Sequence, residues 1–359
     1  MTGIALLGAG IYATEEHLPA ILASKFNLVA IYSRSQSSAE SLAASLPESV
    51  RPNVALYYSS PAASGKSLDD LLARSDVAAV DIVLPIPHQP EIVEKALKAG
   101  KHVLSEKPVA ADVEGAQKLI KWYHGLDGEN KPLWGVAENF RYMESLKFAG
   151  DQLQELLSAR EGAKLVTFRM ERYGFVEAEN KYYKTEWRKT PSHQGGFLLD
   201  GGVHFVAGLR YLLGAAGQEL KQLVGYSGLL EERLIPVDTV QAVALTNEGK
   251  SGTVVISFGT EFKNGFEVEI VTTNGSVTWN PTYVKVAKRK GDGTGQETST
   301  KEFPWSSGVK PEVAAFAQGI EEGKIADLQT PEQALKDLEV LQRMIESGAA
   351  GAALKTIGA

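Results

Sequence analysis

The amino-acid sequence predicts a two-domain α/β protein, in which a doubly wound parallel sheet is followed by an α+β domain with a mostly antiparallel, open sheet. The chain has 359 residues, and a single hydrophobic core stops growing near about 250–300 residues, so two cores are expected. Strand-like and helix-like segments alternate over residues 1–138, which is typical of βαβ units. Beyond residue 139, strand-like runs follow one another across short connections, which is typical of antiparallel hairpins.

Composition narrows the class of protein further. Hydrophobic residues make up 43% and charged residues 23% of the chain, which is ordinary for a globular protein. The net charge of −7 argues against nucleic-acid binding, and the absence of cysteine excludes disulfides and thiolate chemistry. No apolar run reaches the roughly 18 residues of a membrane span, and the apolar N-terminal stretch lacks the basic residues of a signal peptide. We therefore expect a cytoplasmic protein with neither nucleic acid nor membrane as partner.

The first strand and the turn after it carry a dinucleotide-binding pattern. Ile4–Leu7 is a short apolar run of the kind that is buried on both faces of a parallel sheet. It is followed by Gly-Ala-Gly-Ile-Tyr-Ala at 8–13, a G-x-G-x-x-A sequence, and a predicted helix over 15–24. Such glycines allow a tight turn and let backbone N–H groups approach a pyrophosphate. Gly8, Gly10, Ile11 and Tyr12 are the expected cofactor contacts of a Rossmann domain.

The end of the second strand, predicted over 28–32, bears on the choice of cofactor. An NAD-selective site usually places Asp or Glu there to accept a hydrogen bond from the ribose 2′-hydroxyl. This chain has Ser33-Arg34-Ser35, whose guanidinium and hydroxyls suit a 2′-phosphate. We therefore expect NADP rather than NAD, held by Ser33 and Arg34.

The remaining elements of the first domain keep the alternating rhythm. Helices are predicted over 67–74, 89–99 and 112–124, and strands over 78–84, 101–104 and 133–137. Pro85-Ile86-Pro87-His88 follows the strand predicted over 78–84, at the edge that borders the ligand crevice in doubly wound sheets. Pro85 and His88 are candidate nicotinamide contacts, although an ordinary loop explains this segment equally well. The domain is expected to span residues 1–138.

The second domain, residues 139–359, is predicted to begin with a helix over 145–157. Strands follow at 164–173, 220–226, 239–246, 252–260, 266–273, 276–279 and 283–288. The closing helix starts at the capping box Thr330-Pro331-Glu332-Gln333. This last helix is expected to pack back on the first domain.

Candidate catalytic groups occur in the second domain. Asp200 and His204 are four residues apart and project from one face of a helix. A carboxylate beside an imidazole can orient the ring and support its charged form, which makes a proton relay; a purely structural pair is the alternative. Four other histidines, His17, His102, His124 and His193, lack the spacing of metal ligands. We therefore expect no metal site and assign these histidines surface or capping roles.

Three sequence strings together resemble the Gfo/Idh/MocA oxidoreductases, the family of glucose–fructose oxidoreductase and inositol dehydrogenase. They are the glycine loop at 8–13, the string Ala-Gly-Lys-His-Val-Leu-Ser-Glu-Lys-Pro at 99–108, and Gly195-Gly196 followed by Asp200-x-x-x-His204. The resemblance covers nearly the whole chain. It implies that Lys107 contacts both the nicotinamide and the reacting oxygen, and that Glu106 and Pro108 shape the turn that presents it. It also implies catalytic roles for Asp200 and His204, with His204 as the acid/base.

The resemblance further implies a small-molecule substrate and a homo-oligomer, dimer or tetramer, formed through the open sheet of the second domain. Arg141, Trp187 and Arg188 fall where relatives line the substrate pocket. The expected function is NADP(H)-dependent hydride transfer to or from a sugar, a polyol or a related carbonyl or diol compound. Two alternatives stay open: a non-catalytic NADP-binding regulator, and an enzyme similar to trans-dihydrodiol dehydrogenase or biliverdin reductase that takes a more apolar substrate. The identity of the substrate and the direction of hydride transfer stay open as well.

Overall fold

A computed structural model of the chain describes residues 1–59, 64–128, 131–290 and 294–358. The chain divides into two compact units. The first comprises Met1–Glu138 and Val309–Leu335, and the second comprises Asn139–Gly308 and the residues from Lys336 onward. The sequence-based division assigned 309–335 to the second domain, whereas in the structure this segment belongs to the first unit.

The two units carry one sheet each, built from strands with the following bounds: β1 Thr2–Leu7, β2 Phe26–Ser33, β3 Ala55–Tyr58, β4 Ala79–Ile82, β5 His102–Glu106, β6 Trp134–Ala137, β7 Leu165–Tyr173, β8 Leu220–Gly228, β9 Thr239–Thr246, β10 Ser251–Ser257, β11 Gly265–Thr272, β12 Gly275–Asn280, β13 Tyr283–Arg289, β14 Gln296–Glu302 and β15 Lys355–Thr356. The α-helices have the following bounds: α1 Leu18–Leu22, α2 Gln36–Ala44, α3 Leu68–Leu72, α4 Gln89–Lys98, α5 Val113–His124, α6 Glu144–Ser158, α7 Glu186–Lys189, α8 Gly196–Ala215, α9 Val309–Glu322 and α10 Pro331–Ala349.

The sheet of the first unit has the order β3-β2-β1-β4-β5-β6, and every neighbouring pair is parallel. The order reverses direction at β1, and such a switch point is where doubly wound sheets bind ligands, outside the carboxyl ends of the strands. The β1, β4 and β5 strands are wholly or largely buried, as expected where helices cover both faces of a parallel sheet. The predicted doubly wound fold of this unit is confirmed.

The core of the first unit takes in side chains from a segment far along the chain. Val309, Val313 and Phe316 on α9 are buried in the same apolar cluster as β1 and β2 side chains. The ring of Phe316 lies 5.9 Å from that of Phe26. The α9 helix therefore completes the hydrophobic core around the parallel sheet of the first unit.

The sheet of the second unit has the order β14-β13-β12-β11-β7-β10-β9-β8-β15. The β7 and β10 strands pair in parallel, and the other neighbouring pairs are antiparallel. The helices α6 and α8 pack on this sheet, and Gly208 lets α8 come close, because a Cβ there would lie 2.4 Å from the Trp279 ring. The predicted mostly antiparallel, open sheet is confirmed.

Some elements escaped the prediction. The prediction lacks β3, α2 and α9. It also lacks β14, which is exposed at every residue and so has none of the alternation of apolar and polar residues that marks a half-buried strand. Within the described residues, no helix is both long enough and apolar enough to cross a membrane.

Candidate active site

The glycine loop after β1 has the geometry that a dinucleotide requires. Gly8 has a φ of +127°, and a Cβ there would lie 2.2 Å from the Val83 carbonyl oxygen, so only glycine fits. A Cβ on Gly10 would meet no protein atom within 4 Å, so the backbone faces open space at that point. A helical run begins at Ile11 and continues through Tyr12. Its first N–H groups are suited to a pyrophosphate, and these residues therefore fit a bound dinucleotide.

The residues expected to determine the preference for NADP over NAD lie at the end of β2. Ser33 is its last residue and is buried, whereas Arg34 is exposed. Ser35 caps α2, because its side-chain oxygen accepts a hydrogen bond from the Ser38 N–H at 3.2 Å. The segment 33–35 thus presents an exposed guanidinium beside a helix start and carries no carboxylate.

The next two strands bring the other predicted cofactor contacts to the same edge of the sheet. Pro85 lies three residues beyond β4 and precedes a short 3₁₀ helix that ends at the exposed His88. The β5 strand ends at Glu106, and the partly buried Lys107 follows it, with a cis peptide bond to Pro108. Because β1, β4 and β5 are parallel neighbours, their carboxyl ends share the crevice edge.

A buried imidazole lies at this edge, contrary to the expected surface or capping role for His17. The side chain of His17 is 0% exposed. Its Nδ1 is 2.8 Å from Asp81 Oδ2, and its Nε2 is 2.8 Å from Glu106 Oε1. The expectation was wrong because the two partners lie 64 and 89 residues away along the chain. A charged residue inside the apolar strand β4 was the available signal, since Asp is rarely fully buried without a partner.

The electrostatics of this cluster are unusual. Burial opposes the charged form of His17 and is the largest single influence, but Asp81 and Glu106 together outweigh it and raise the pKa of His17 well above its ordinary value. Glu312 on α9 is fully buried, and burial, reinforced by the charge of Glu106, raises its pKa well above the usual range. The cluster therefore favours a protonated imidazole and a protonated Glu312.

The second unit carries Asp200 and His204 on α8. The helix begins after Gly195. Gly196 has a φ of +49°, and a Cβ there would lie 2.4 Å from the Ile235 carbonyl oxygen, so a side chain would be strained and would clash. Asp200 is buried, and its Oδ2 accepts a hydrogen bond from Arg188 Nε at 2.8 Å. The ring of His204 is partly exposed and stacks on Phe140, with 4.7 Å between ring centroids and 16° between planes.

Arg188 lies in an aromatic setting. It belongs to α7, as does Trp187, and its guanidinium carbon is 4.0 Å from the centroid of the Trp187 ring and 5.5 Å from that of Tyr182. His193 lies close enough for the charge of Asp200 to act on it, is 8% exposed, and has no hydrogen-bond partner for either ring nitrogen among the described residues. Burial lowers the pKa of His193, and the charge of Asp200 opposes that shift. This part of α7 and α8 thus combines a paired carboxylate, a flat cation and aromatic rings.

Arg141, a predicted substrate contact, takes part in a buried ion cluster. Its guanidinium pairs with Asp337, which also pairs with Arg210. Arg141 and Asp337 are both buried. A substrate contact for Arg141 stays a prediction, and so do the roles assigned to the other site residues. No group of three or more histidine, aspartate or glutamate side chains in the described segments is arranged to hold a metal ion.

Comparison with known proteins adds to this geometry. A family model described as "Oxidoreductase family, NAD-binding Rossmann fold" matches residues 2–125, and one described as "Oxidoreductase family, C-terminal alpha/beta domain" matches residues 163–356. The chain is 49% identical over 358 residues, 99% of each chain, to a protein named dehydrogenase FPY6 from Fusarium mangiferae.

More distant relatives match over the full length as well. The chain is 24% identical to a D-xylose 1-dehydrogenase (NADP(+)) from Haloferax volcanii, over 98% of each chain. A crystal structure of an oxidoreductase from Thermotoga maritima superposes with a TM-score of 0.82 at 28% identity, covering 99% of this chain and 98% of that one. These matches confirm the family resemblance drawn from the motifs.

Proposed function

The chain belongs to the Gfo/Idh/MocA oxidoreductases, and on that premise we propose that it transfers hydride between NADP(H) and a sugar, a polyol or a related carbonyl or diol compound. The observation that carries the proposal is that Lys107 follows the buried end of β5, at the sheet edge that also holds the glycine loop. The relative from Haloferax volcanii is named as an NADP-dependent sugar dehydrogenase, which supports the substrate class and the cofactor.

NADP(H), when bound, supplies or accepts the hydride. The residues of the chain handle the charge and the proton that accompany this transfer. Lys107 as an ammonium stabilises the negative charge that develops on the reacting oxygen. His204 gives or takes the proton at that oxygen as the general acid or base, and Asp200, held by Arg188, acts on the charge and orientation of the imidazole.

The catalytic assignment is tested by Lys107→Met, measured as NADPH oxidation with a panel of sugar-derived and simple dicarbonyl substrates. The expected result is a loss in kcat of roughly 10²–10³-fold, the range for removing one charge-stabilising donor. Lys118→Met is the matched control, because Lys118 is an exposed lysine paired with Glu114 on α5. Equal turnover of Lys107→Met and the wild type would contradict the role of Lys107.

The cofactor preference is tested at the end of β2. Arg34→Ala is expected to weaken NADP binding while leaving NAD binding unchanged, because the lost guanidinium would contact only the 2′-phosphate. Ser33→Asp is expected to shift the preference toward NAD by restoring a carboxylate. Fluorescence titration with NADPH and NADH measures both effects, and an unchanged preference in both variants would contradict the proposal.

The substrate panel also separates the two other functions. Tight NADPH binding with no turnover on any compound supports a non-catalytic NADP-binding regulator. The Trp187 and Tyr182 rings around Arg188 favour including apolar diols and tetrapyrroles in the panel. Turnover of those alone supports an enzyme of the trans-dihydrodiol dehydrogenase or biliverdin reductase type.

We also propose a cytoplasmic homo-oligomer that associates through the sheet of the second unit. On one face of that sheet, Tyr226 on β8 and Val243 on β9 are exposed, and exposed apolar side chains of this kind mark interaction surfaces. Light scattering on Tyr226→Lys is expected to show a smaller assembly than that of the wild type. An unchanged dimer or tetramer would place the interface elsewhere.

A further inference from the structure

His17 occupies a place that the expected hydride-transfer chemistry does not explain. It is the last residue of a π-helical turn, Ala13–His17, that follows directly on the dinucleotide loop. Turns of this kind are rare and occur frequently at functional sites. The turn carries the imidazole to Asp81 on β4 and Glu106 on β5. His17 thus links the two strands that present the candidate nicotinamide contacts and Lys107.

The hydrogen bonds of the ring constrain its protonation. Both ring nitrogens face a carboxylate oxygen, and both distances are 2.8 Å, which lies in the range of charge-assisted bonds. A neutral imidazole has one donor and one acceptor, so it can satisfy only one carboxylate. An imidazolium donates to both, and no water is needed in the fully buried site to complete the pairing.

Several carboxyl groups lie in the cluster around the His17 ring. The ring of Tyr12 lies 5.4 Å from that of His17, and the carboxyl groups whose charges act within this cluster are Glu16, Asp81, Glu106, Glu138 and Glu312. Glu312 is fully buried and favours its protonated form. The positive charge of His17 therefore offsets part of the negative charge of Asp81 and Glu106, the second of which directly precedes Lys107 in the chain.

We propose that His17 is a positioning residue, which as an imidazolium bonded to Asp81 and Glu106 fixes the end of β5 and so sets the position and electrostatic environment of Lys107. Glu106 and Lys107 are consecutive in the chain, so holding the carboxylate of one limits where the other leaves the strand. Misplacing a catalytic group by about 1 Å can cost about 10²-fold in rate. The inference rests on the proposed function, since it concerns the same lysine.

The charge on His17 is tested directly by ¹⁵N NMR of the imidazole nitrogens between pH 6 and pH 9, with His17→Gln used to assign the signals. Both nitrogens of His17 are expected to carry protons well above the pH at which a free histidine loses its charge. His102, also on β5, provides the internal comparison: its Nδ1 accepts a hydrogen bond from the Leu133 N–H, and burial lowers its pKa. A neutral His17 at pH 7 overturns the proposal, and this readout needs no substrate.

Positioning is separated from a merely structural role by kinetics. His17→Gln is expected to lower kcat about 10–100-fold while the KM values for cofactor and substrate stay within about threefold. His102→Gln is the matched control, because it removes a partly buried hydrogen bond at the opposite end of the same strand and is expected to leave kcat unchanged. If His17→Gln does not fold, Glu106→Gln replaces it and is expected to give the same loss. Unchanged kcat in the folded variants overturns the proposal.

A third measurement works even if the wild type turns over none of the compounds tested. The rate at which an amine-reactive acylating reagent labels Lys107, followed by mass spectrometry against pH, reports the pKa of that lysine. Loss of the His17 charge leaves more negative charge beside Lys107, so His17→Gln is expected to shift its labelling curve to higher pH, whereas His102→Gln does not. An unshifted curve overturns the electrostatic link, whereas a wild type without turnover contradicts only the proposed function.

Discussion

The two units hold their candidate catalytic side chains in different ways. In the first unit, the residue before Lys107 is fixed by a fully buried imidazole with two hydrogen bonds of 2.8 Å. In the second unit, Asp200 pairs with Arg188, which lies against aromatic rings, and His204 stacks on Phe140 while partly exposed. The first arrangement is almost completely buried, whereas the second includes the partly exposed side chains of Arg188 and His204.

This difference matches what each unit has to do. The cofactor is the same in every turnover, so its side of the chemistry gains from a fixed, preorganised charge. Substrates of one enzyme family differ in shape, and stacked aromatic and guanidinium groups can be exchanged without rebuilding a core. If the proposed roles hold, the buried cluster supports the lysine beside the cofactor, and the region around α7 contacts the substrate.

The largest expected effect is the loss in kcat when the candidate acid/base of the second unit, His204, is replaced. His204→Asn is expected to lower kcat by roughly 10²–10⁴-fold, the usual contribution of a general acid or base, because the amide cannot exchange a proton at neutral pH. NADPH affinity, measured by fluorescence titration, is expected to stay unchanged. A kcat within threefold of the wild type would show that the proton moves through another group.

The next effect concerns stability in the second unit. Asp337→Ala is expected to reduce the free energy of unfolding by about 3–5 kcal/mol, because it leaves the buried Arg141 and the adjacent Arg210 without their shared carboxylate. Urea denaturation measures the change. Glu219→Ala is the control, since Glu219 pairs with lysines at the surface and such pairs contribute about 0–1 kcal/mol. Equal losses in the two variants would contradict a special role of the buried cluster.

The third effect is on the pH dependence of stability and concerns the buried Glu312 of the first unit. The pKa of Glu312 is raised in the folded state, so the folded chain binds this proton more tightly than the unfolded chain does. The contribution of Glu312 to stability therefore falls as pH rises above about 4.5, until the folded pKa is passed. Glu312→Gln does not titrate, so the free energy of unfolding measured from pH 5 upward is expected to decline less steeply than in the wild type. Parallel curves would mean that Glu312 does not hold the proton.

The smallest expected effect is on substrate affinity and concerns Arg188 on α7. Arg188→Lys keeps the charge but loses the flat guanidinium that stacks on Trp187 and bonds to Asp200. The KM for the substrate is expected to rise about 3–10-fold, with the KM for NADPH unchanged. A larger loss in kcat than in substrate affinity would instead place Arg188 in the chemistry.

Much of the fold was predictable because it is encoded locally. The apolar run before Gly8 and the G-x-G-x-x-A sequence that follows it identify a strand and a turn from a few neighbouring residues. The string at 99–108 contains the candidate catalytic Lys107, whose role follows from the family resemblance and stays a prediction. Such patterns need no knowledge of what lies opposite in space.

The features that were missed depend on residues distant along the chain. Nothing near His17 indicates that it meets Asp81 and Glu106, and the strand β14 carries no apolar side that would reveal it. The sequence-based division placed 309–335 in the second domain for the same reason, because no local pattern shows which sheet the helix α9 covers. The spacing of apolar residues shows which side of a helix or strand is buried. It does not show which other element that side packs against, because this depends on the tertiary fold.

Because Val309–Leu335 belongs to the first unit, this unit cannot be completed until that late segment of the chain has been synthesised. Residues 1–138 leave the ribosome long before α9 is made, so the nascent sheet exposes the apolar surface that Val313 and Phe316 later cover. Glu312 arrives on the same helix, so the cluster around His17 closes only at that late stage. The first unit therefore reaches its final form only after most of the second unit has been translated, and a chain that stops before α9 would leave this apolar surface exposed.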